Sequence, residues 1–282
     1  MYKRILTLLF VFSWCYTISA QVFFDNFEAY VAGQQLACQN PWPTGDWSTW
    51  TKQPCSNEDA LISTNHAFSG ANSVLIDAVS PRVVDVVKPL GGITTGTWYM
   101  DFMLYIPSGK FGYFNTMSNW ENLVYEWAFQ AFFNAGGTGT LDAGAASAAT
   151  FTFPNDTWFP VSAIIDLDLD QAQLWVNNTF VYSWQYTLGT FGTPVAKVID
   201  ANDFFGPDAV ASNNEAYIDD YRFGDTPIPV ELTSFTAVGN NRVVELNWET
   251  ATEINNLMFE IERRTEATEF STIGYVDGAG TS

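Results

Sequence analysis

With 282 residues, 47% hydrophobic and 16% aromatic but only 15% charged, the chain carries far too much apolar material for a disordered polymer. It is long enough for one large β domain, or for one domain and part of another. Its formal charge of −20 repels phosphate backbones, which excludes nucleic acid as a natural partner and favours divalent cations.

Residues 1–20, "MYKRILTLLFVFSWCYTISA", set Lys3 and Arg4 before an apolar stretch that ends in Ser19 and Ala20, the pattern of a cleavable export signal. Ser13, Thr17 and Ser19 interrupt the stretch, and it falls short of the ~20 apolar residues of a span, so no membrane span is expected after cleavage. Bulky Trp14 ahead of Cys15 argues against lipid attachment. Cleavage removes Lys3 and Arg4 and no acid, which deepens the charge to −22. Cys38 and Cys55 then remain. In an oxidising compartment they are expected to pair, stabilising the fold by about 3 kcal/mol. With His66 as the sole imidazole, two Cys and one His leave a zinc site a ligand short.

From there to residue 225, alternating or β-branched and aromatic runs recur. They are "VFFDNFEAY", "SVLIDA", "RVVDVV", "TWYMDFMLYI", "LVYEWAFQAFF", "ATFTF", "FPVSAIIDLDL", "AQLWVNN", "FVYSWQY" and "EAYIDDYRF". Gly-, Asn-, Ser- and Pro-rich connections separate them, including "NAGGTGTLDAGAASA", and no stretch sustains a helical period. Many short strands joined by tight turns predict an all-β, two-sheet antiparallel sandwich or jelly roll over residues 21–225. The first and last runs are expected to pair, which ties the ends together. In "YIDDYRF", alternation puts Tyr217, Asp219, Tyr221 and Phe223 on one face and Ile218, Asp220 and Arg222 on the other. One Asp therefore points inward and needs a partner. Asp25 and Glu28 on the first strand, with Asp219 and Asp220, form a candidate oxygen-ligand site for structural calcium; one solvated and one hydrogen-bonded Asp is the alternative.

Pro227 and Pro229 mark a linker at 226–229. "VELTSFTAV", "VVELNWETA" and "MFEIERRT" then begin a second β-sandwich over 230–282. A full module of this type needs about a hundred residues, so the sequence is expected to stop inside the module, and the second domain is partial.

"PVELTSFTA", "VELNWETATEINNLMFEIERR" and "FSTIGYVDGAGTS" resemble the fibronectin type III-like segment that precedes the sorting domain in secreted cargo of the bacterial type IX secretion system. "FFDNFEAYVAGQQLACQN", "GKFGYFN", "EWAFQAFFNAGGTGTLDAG", "TWFPVSAIIDLDLDQAQLWVNN" and "YIDDYRF" resemble the laminin G-like, concanavalin A-like jelly rolls found in such cargo. The resemblance implies a bacterial protein, secreted or at the cell surface, handled by secretion machinery through a C-terminal signal that this sequence lacks. It implies fold more than function, because the jelly roll hosts lectins, glycan-binding modules, glycosidases and lyases.

Catalytic patterns are missing. Glycosidases of this fold place paired carboxylates on one strand face. Glu121 and Glu126, five apart, point to opposite faces, and Asp166, Asp168 and Asp170 of "DLDLD" read as a solvated strand end. "STNHAFSG" gives His66 no nucleophile elbow, and "NAGGTGTLDAG" lacks the Lys and Ser/Thr of a phosphate loop. What remains is aromatic: Tyr113, Phe114, Trp120, Tyr125, Trp127, Trp175 and Trp184. Tyr113, Asn115, Trp120, Glu126 and Trp127 form the candidate ligand site, with rings to stack on sugar faces and polar groups to fix hydroxyls. The expectation is a non-catalytic module that binds an extracellular glycan or other surface polymer. The alternatives are a polysaccharide-degrading enzyme and a purely structural adhesion module.

Overall fold

In the computed structural model, residues 22–120, 125–206, 213–225 and four strands beyond residue 230 are described. The expected export signal at 1–20 and the expected linker at 226–229 lie outside these residues. The strands, in chain order, are β1 (Val22–Asp25), β2 (Ser48–Thr49), β3 (Leu61–Ser63), β4 (Ser73–Val79), β5 (Arg82–Val83), β6 (Asp85–Ile93), β7 (Thr97–Tyr105) and β8 (Gly112–Asn119). There follow β9 (Glu126–Asn134), β10 (Thr138–Asp142), β11 (Ala149–Thr152), β12 (Trp158–Asp166), β13 (Gln171–Val176), β14 (Thr179–Gln185), β15 (Ile199–Phe205) and β16 (Glu215–Gly224). One four-residue helix, α1 (Leu36–Gln39), lies between β1 and β2.

Two antiparallel sheets form the sandwich. The nine-stranded sheet runs β14-β13-β12-β7-β16-β4-β3, with β1 added to β16 and β5 to β4, and the seven-stranded sheet runs β11-β10-β9-β8-β15-β6-β2. Non-sequential neighbours such as β7 beside β16 and β8 beside β15 carry the chain back and forth between layers, as a concanavalin A-like jelly roll does. Phe102 of β7 meets Phe114 of β8 and Phe204 of β15 edge to face, at 5.2 and 5.3 Å. Phe133 gathers Phe151, Phe153 and Phe159 around it. These rings lock the sheets at the spacing that interdigitated side chains require.

The ends pair as the sequence predicts, Phe23 lying opposite Phe223 and Asp25 opposite Tyr221. The alternation within β16 does not hold. Asp219 faces Met103 while Arg222 faces Asp101, so one extra residue sits in β16, and Asp220 takes φ 47°, a β-bulge. The bulge reverses parity. Ala216 and Ile218 face the core before it, Tyr221 and Phe223 after it, whereas strict alternation would have put Tyr221 on the same face as Tyr217. Arg222 pairs with Asp101 at 3.3 Å.

Five strands of the sandwich were not legible as strands: the short β2 and β3, and β8, β15 and β10, the last inside the glycine-rich stretch read as a loop. Gly139 explains that stretch, since a Cβ there would come within 2.2 Å of the Phe151 ring. "RVVDVV" is broken at Val84 into β5 and β6. The disulfide forms between Cys38 and Cys55, 17 residues apart. Beyond residue 230, β17 (Glu231–Asn240) pairs with β18 (Val243–Thr252) and β19 (Asn256–Arg263) with β20 (Ser271–Gly280). Trp248 and Phe259 touch between the two hairpins at 5.3 Å. No helix among the described residues is long and apolar enough to cross a membrane.

Candidate functional site

The seven-stranded sheet has one face in the sandwich core, through Phe114, Phe129, Phe133, Leu141 and Phe204. Strand alternation sends the intervening residues to the opposite, outer face. A row of polar groups crosses four adjacent strands there. Tyr113 Oη on β8 donates to Gln130 Oε1 on β9 at 2.7 Å. Asn115 Nδ2 donates to Tyr113 Oη at 3.0 Å and to Asp203 Oδ2 on β15 at 2.6 Å. Asp203 is also hydrogen-bonded to Asp85 on β6. Burial is the largest influence on both aspartates and raises their pKa values. Asp203 and then Glu58 raise Asp85 further, while hydrogen bonds from Asp85 and Asn115 pull Asp203 back. Burial and mutual repulsion thus both act against charge on this pair.

A second group borders the row. Trp50 follows β2, and its N–H donates to the Asp85 carbonyl at 2.9 Å, while Asp85 N–H donates to the Glu58 carbonyl at 2.8 Å. The 50–58 loop is thereby hung on β6. Asp59 fixes its far end: wholly buried, it accepts from the N–H groups of Ala37, Cys38 and Cys55. Trp50 stacks on Tyr125 (4.2 Å between centroids) and on Trp127 (5.9 Å, 13° between planes). All three rings are half-buried, and they form an aromatic platform beside the polar row.

The expected ligand residues therefore divide. Tyr113 and Asn115 belong to the row and Trp127 to the platform. Trp120 is wholly buried, packs with Val87, Met117 and Ala201, and lies under Lys52, whose Nζ sits 4.4 Å from its ring centroid; it supports the platform without offering a face. Glu126 accepts weakly from Ser118 Oγ at 3.4 Å. Phe114 and Trp184 are core, and Trp175 packs on Phe180 in the other sheet. Asp85, Asp203, Gln130 and Trp50 carried no sequence signal. "IDANDFF" reads like a turn, and Trp50 is brought to the face by a loop.

Three of the four expected calcium ligands serve a different feature. Asp219 Oδ2 accepts from the N–H groups of Phe68 and Ser69, and Asp220 Oδ1 from Ser69 Oγ. Glu28 Oε1 accepts from the N–H groups of Ala71 and Asn72. Gly70, at φ 60°, leaves the room Glu28 occupies. The carboxylates thus fasten the 66–72 turn. Asp25 instead accepts from Phe27 N, Tyr30 Oη and Trp47 Nε1. Burial pushes Asp219 up to about 6. Among the described residues, no three His, Cys, Asp or Glu side chains group where they could hold one metal ion, and calcium at this corner is a proposal for test. His66 stacks on Tyr105 at 4.1 Å. The "DLDLD" carboxylates cap the turn after β12: Asp166 accepts from Leu169 N, Asp168 from Gly96 N and Asp170 from Thr187 N. A groove of about 510 Å³, lined by Thr140, Thr150, Phe151 and Phe180 among others, opens where the edges of the two sheets meet.

Fold and face together define an antiparallel jelly-roll sandwich with a polar row and an aromatic platform on the outer side of one sheet. No protein-family model matches the chain, and no curated protein matches it. Among solved structures it is similar to a sialidase (14% identity, TM-score 0.45), covering 69% of this chain and 18% of the sialidase. It is also similar to the carbohydrate esterase vb_24B_21 from Shiga toxin-encoding bacteriophage phi24B (10%, 0.45, 67% of this chain and 95% of that one). A third is the Emp47p carbohydrate recognition domain (16%, 0.37, 63% and 93%). The chain thus spans less than a fifth of the sialidase.

Proposed function

We propose that the outer face of the seven-stranded sheet binds a neutral glycan and that the protein is an exported, non-catalytic binding module. The observation that carries this is the adjacency of the Trp50–Tyr125–Trp127 stack to the Gln130–Tyr113–Asn115–Asp203 row. Sugar rings stack their C–H faces on such platforms, while the half-buried Gln130 at the end of the row can meet their hydroxyls. A net charge of −20 disfavours uronic and sialic polymers electrostatically, so the ligand is neutral. The Cys38–Cys55 disulfide supports export, since such bridges persist in oxidising compartments. Delivery through the type IX machinery follows from the sequence resemblance.

Affinity electrophoresis against xylan, β-glucan, galactomannan and alginate tests this reading. Retardation by a neutral polysaccharide is expected, weakened at least tenfold by Trp50→Ala and by Trp127→Ala and unchanged by Phe180→Ala on β14. No retardation by any polymer, or retardation intact in both tryptophan variants, refutes it. Hydrolysis is the weaker reading because Asp85 and Asp203 touch, whereas glycosidase carboxyls stand about 5 Å or more apart. Reducing ends that appear with wild-type protein and vanish with Glu126→Gln would reinstate it.

A further inference from the structure

The Asp85–Asp203 pair is not needed to stack a sugar, and it is unfavourable as it stands. Asp203 and Asn115 are directly opposite each other on β15 and β8. Asp85 lies opposite Phe205 on β6, two residues along, so all three side chains leave the same face of three adjacent strands. Asp85 Oδ1, Asp203 Oδ1 and Asn115 Oδ1 are each buried without a hydrogen-bond donor. Asn115 is wholly buried, and its Nδ2 is committed to Asp203 Oδ2 and Tyr113 Oη. Its Oδ1 is therefore held within a few ångströms of the same carboxylate. Buried acceptors rarely go unmatched, and here three stand on one face of three adjacent strands.

We propose that Asp85, Asp203 and Asn115 hold a hard divalent cation of the calcium class at the floor of the outer face. The donor set is oxygen only, which suits such an ion and not zinc or copper. Two carboxylates match its charge, Glu58 adds to the negative field, and the acidic chain draws cations toward it. Asp85 is only partly buried and gives the ion and its remaining waters an entrance. The ion clamps β6, β15 and β8 under the aromatic platform. This place is distinct from the 66–72 corner, and it does not depend on a glycan binding above it.

Terbium luminescence on the full chain tests the site, because the Tyr113 hydroxyl lies 3.0 Å from Asn115 Nδ2 and Tyr113 can sensitise an ion held there. Saturable sensitised emission is expected, displaced by calcium, with affinity reduced at least tenfold by Asp203→Asn and unchanged by Asp219→Asn. Absence of sensitised emission, or emission that Asp203→Asn leaves intact, overturns the proposal, as does loss in Asp219→Asn alone, which places the ion at the turn. If circular dichroism finds Asp203→Asn unfolded, Asp85→Asn decides by the same criterion.

Discussion

Replacing Asp59 by Ala tests how the site is suspended. Three N–H groups point at this carboxylate: Ala37 at 2.9 Å, Cys38 at 2.9 Å and Cys55 at 3.0 Å. The first is fully buried and the others partly so. Orphaning a buried donor costs about 1–3 kcal/mol, and a partly solvated one less, so Asp59→Ala should lose about 3 kcal/mol, a large share of the ~5–15 kcal/mol that holds a domain. Urea denaturation at pH 7 measures it. Because Asp59 anchors the loop that carries Trp50, near-ultraviolet dichroism from the Trp50–Trp127 stack should weaken in the folded variant. A loss under 1 kcal/mol with the aromatic signal intact would refute the suspension. The pH dependence gives a second reading. Burial, the largest influence on Asp59, raises its pKa against its N–H donors. The stability linked to its proton is complete below the ordinary carboxylate range and is lost as pH rises through the folded value. Wild type should therefore lose stability relative to Asp59→Asn, which does not titrate, as pH rises above the ordinary carboxylate range.

Reducing the Cys38–Cys55 bridge, or replacing both residues by Ser, should cost about 3 kcal/mol in the chain-entropy account for a loop of this length, read as a lowered Tm with dithiothreitol; an unchanged Tm contradicts it. Phe133→Ala removes the ring at the centre of three other phenylalanines and should cost about 3–5 kcal/mol, measured by chemical denaturation. Asp220→Gly relieves a φ of 47° but gives up the Ser69 hydroxyl bond. The two effects are each about 1 kcal/mol, and the net change in unfolding free energy should stay within about 1 kcal/mol. Millimolar calcium should raise the wild-type Tm, and Asp203→Asn should abolish the rise; a rise abolished instead by Asp219→Asn assigns the ion to the 66–72 turn.

Period-two patterning was enough to read the sandwich, the pairing of head and tail, and most core strands, because each such strand buries one face. It failed where both faces are occupied or neither pattern is apolar. β15 carries Asp200, Asn202 and Asp203 buried within "IDANDFF", a composition that matches a turn. β10 hides in glycines that make room for Phe151. The bulge at Asp219 and Asp220 adds one residue and turns every later side chain of β16 over, an event that no local composition announces. The platform was half legible. Tyr125 and Trp127 lie on or beside β9, but Trp50 reaches them only because Asp59 and the disulfide hold a distant loop in place. Asp85 was read as the polar member of an unbroken strand, and its meeting with Asp203 is a consequence of β6 and β15 becoming neighbours more than a hundred residues apart.

The most direct test is a crystal structure of the full chain soaked with an oligosaccharide of whichever neutral polymer retards it. The account places a sugar ring against Trp50 and Trp127, with its hydroxyls reaching Gln130 and Tyr113. Density in the groove between Phe151 and Phe180, with the aromatic platform bare, would contradict it.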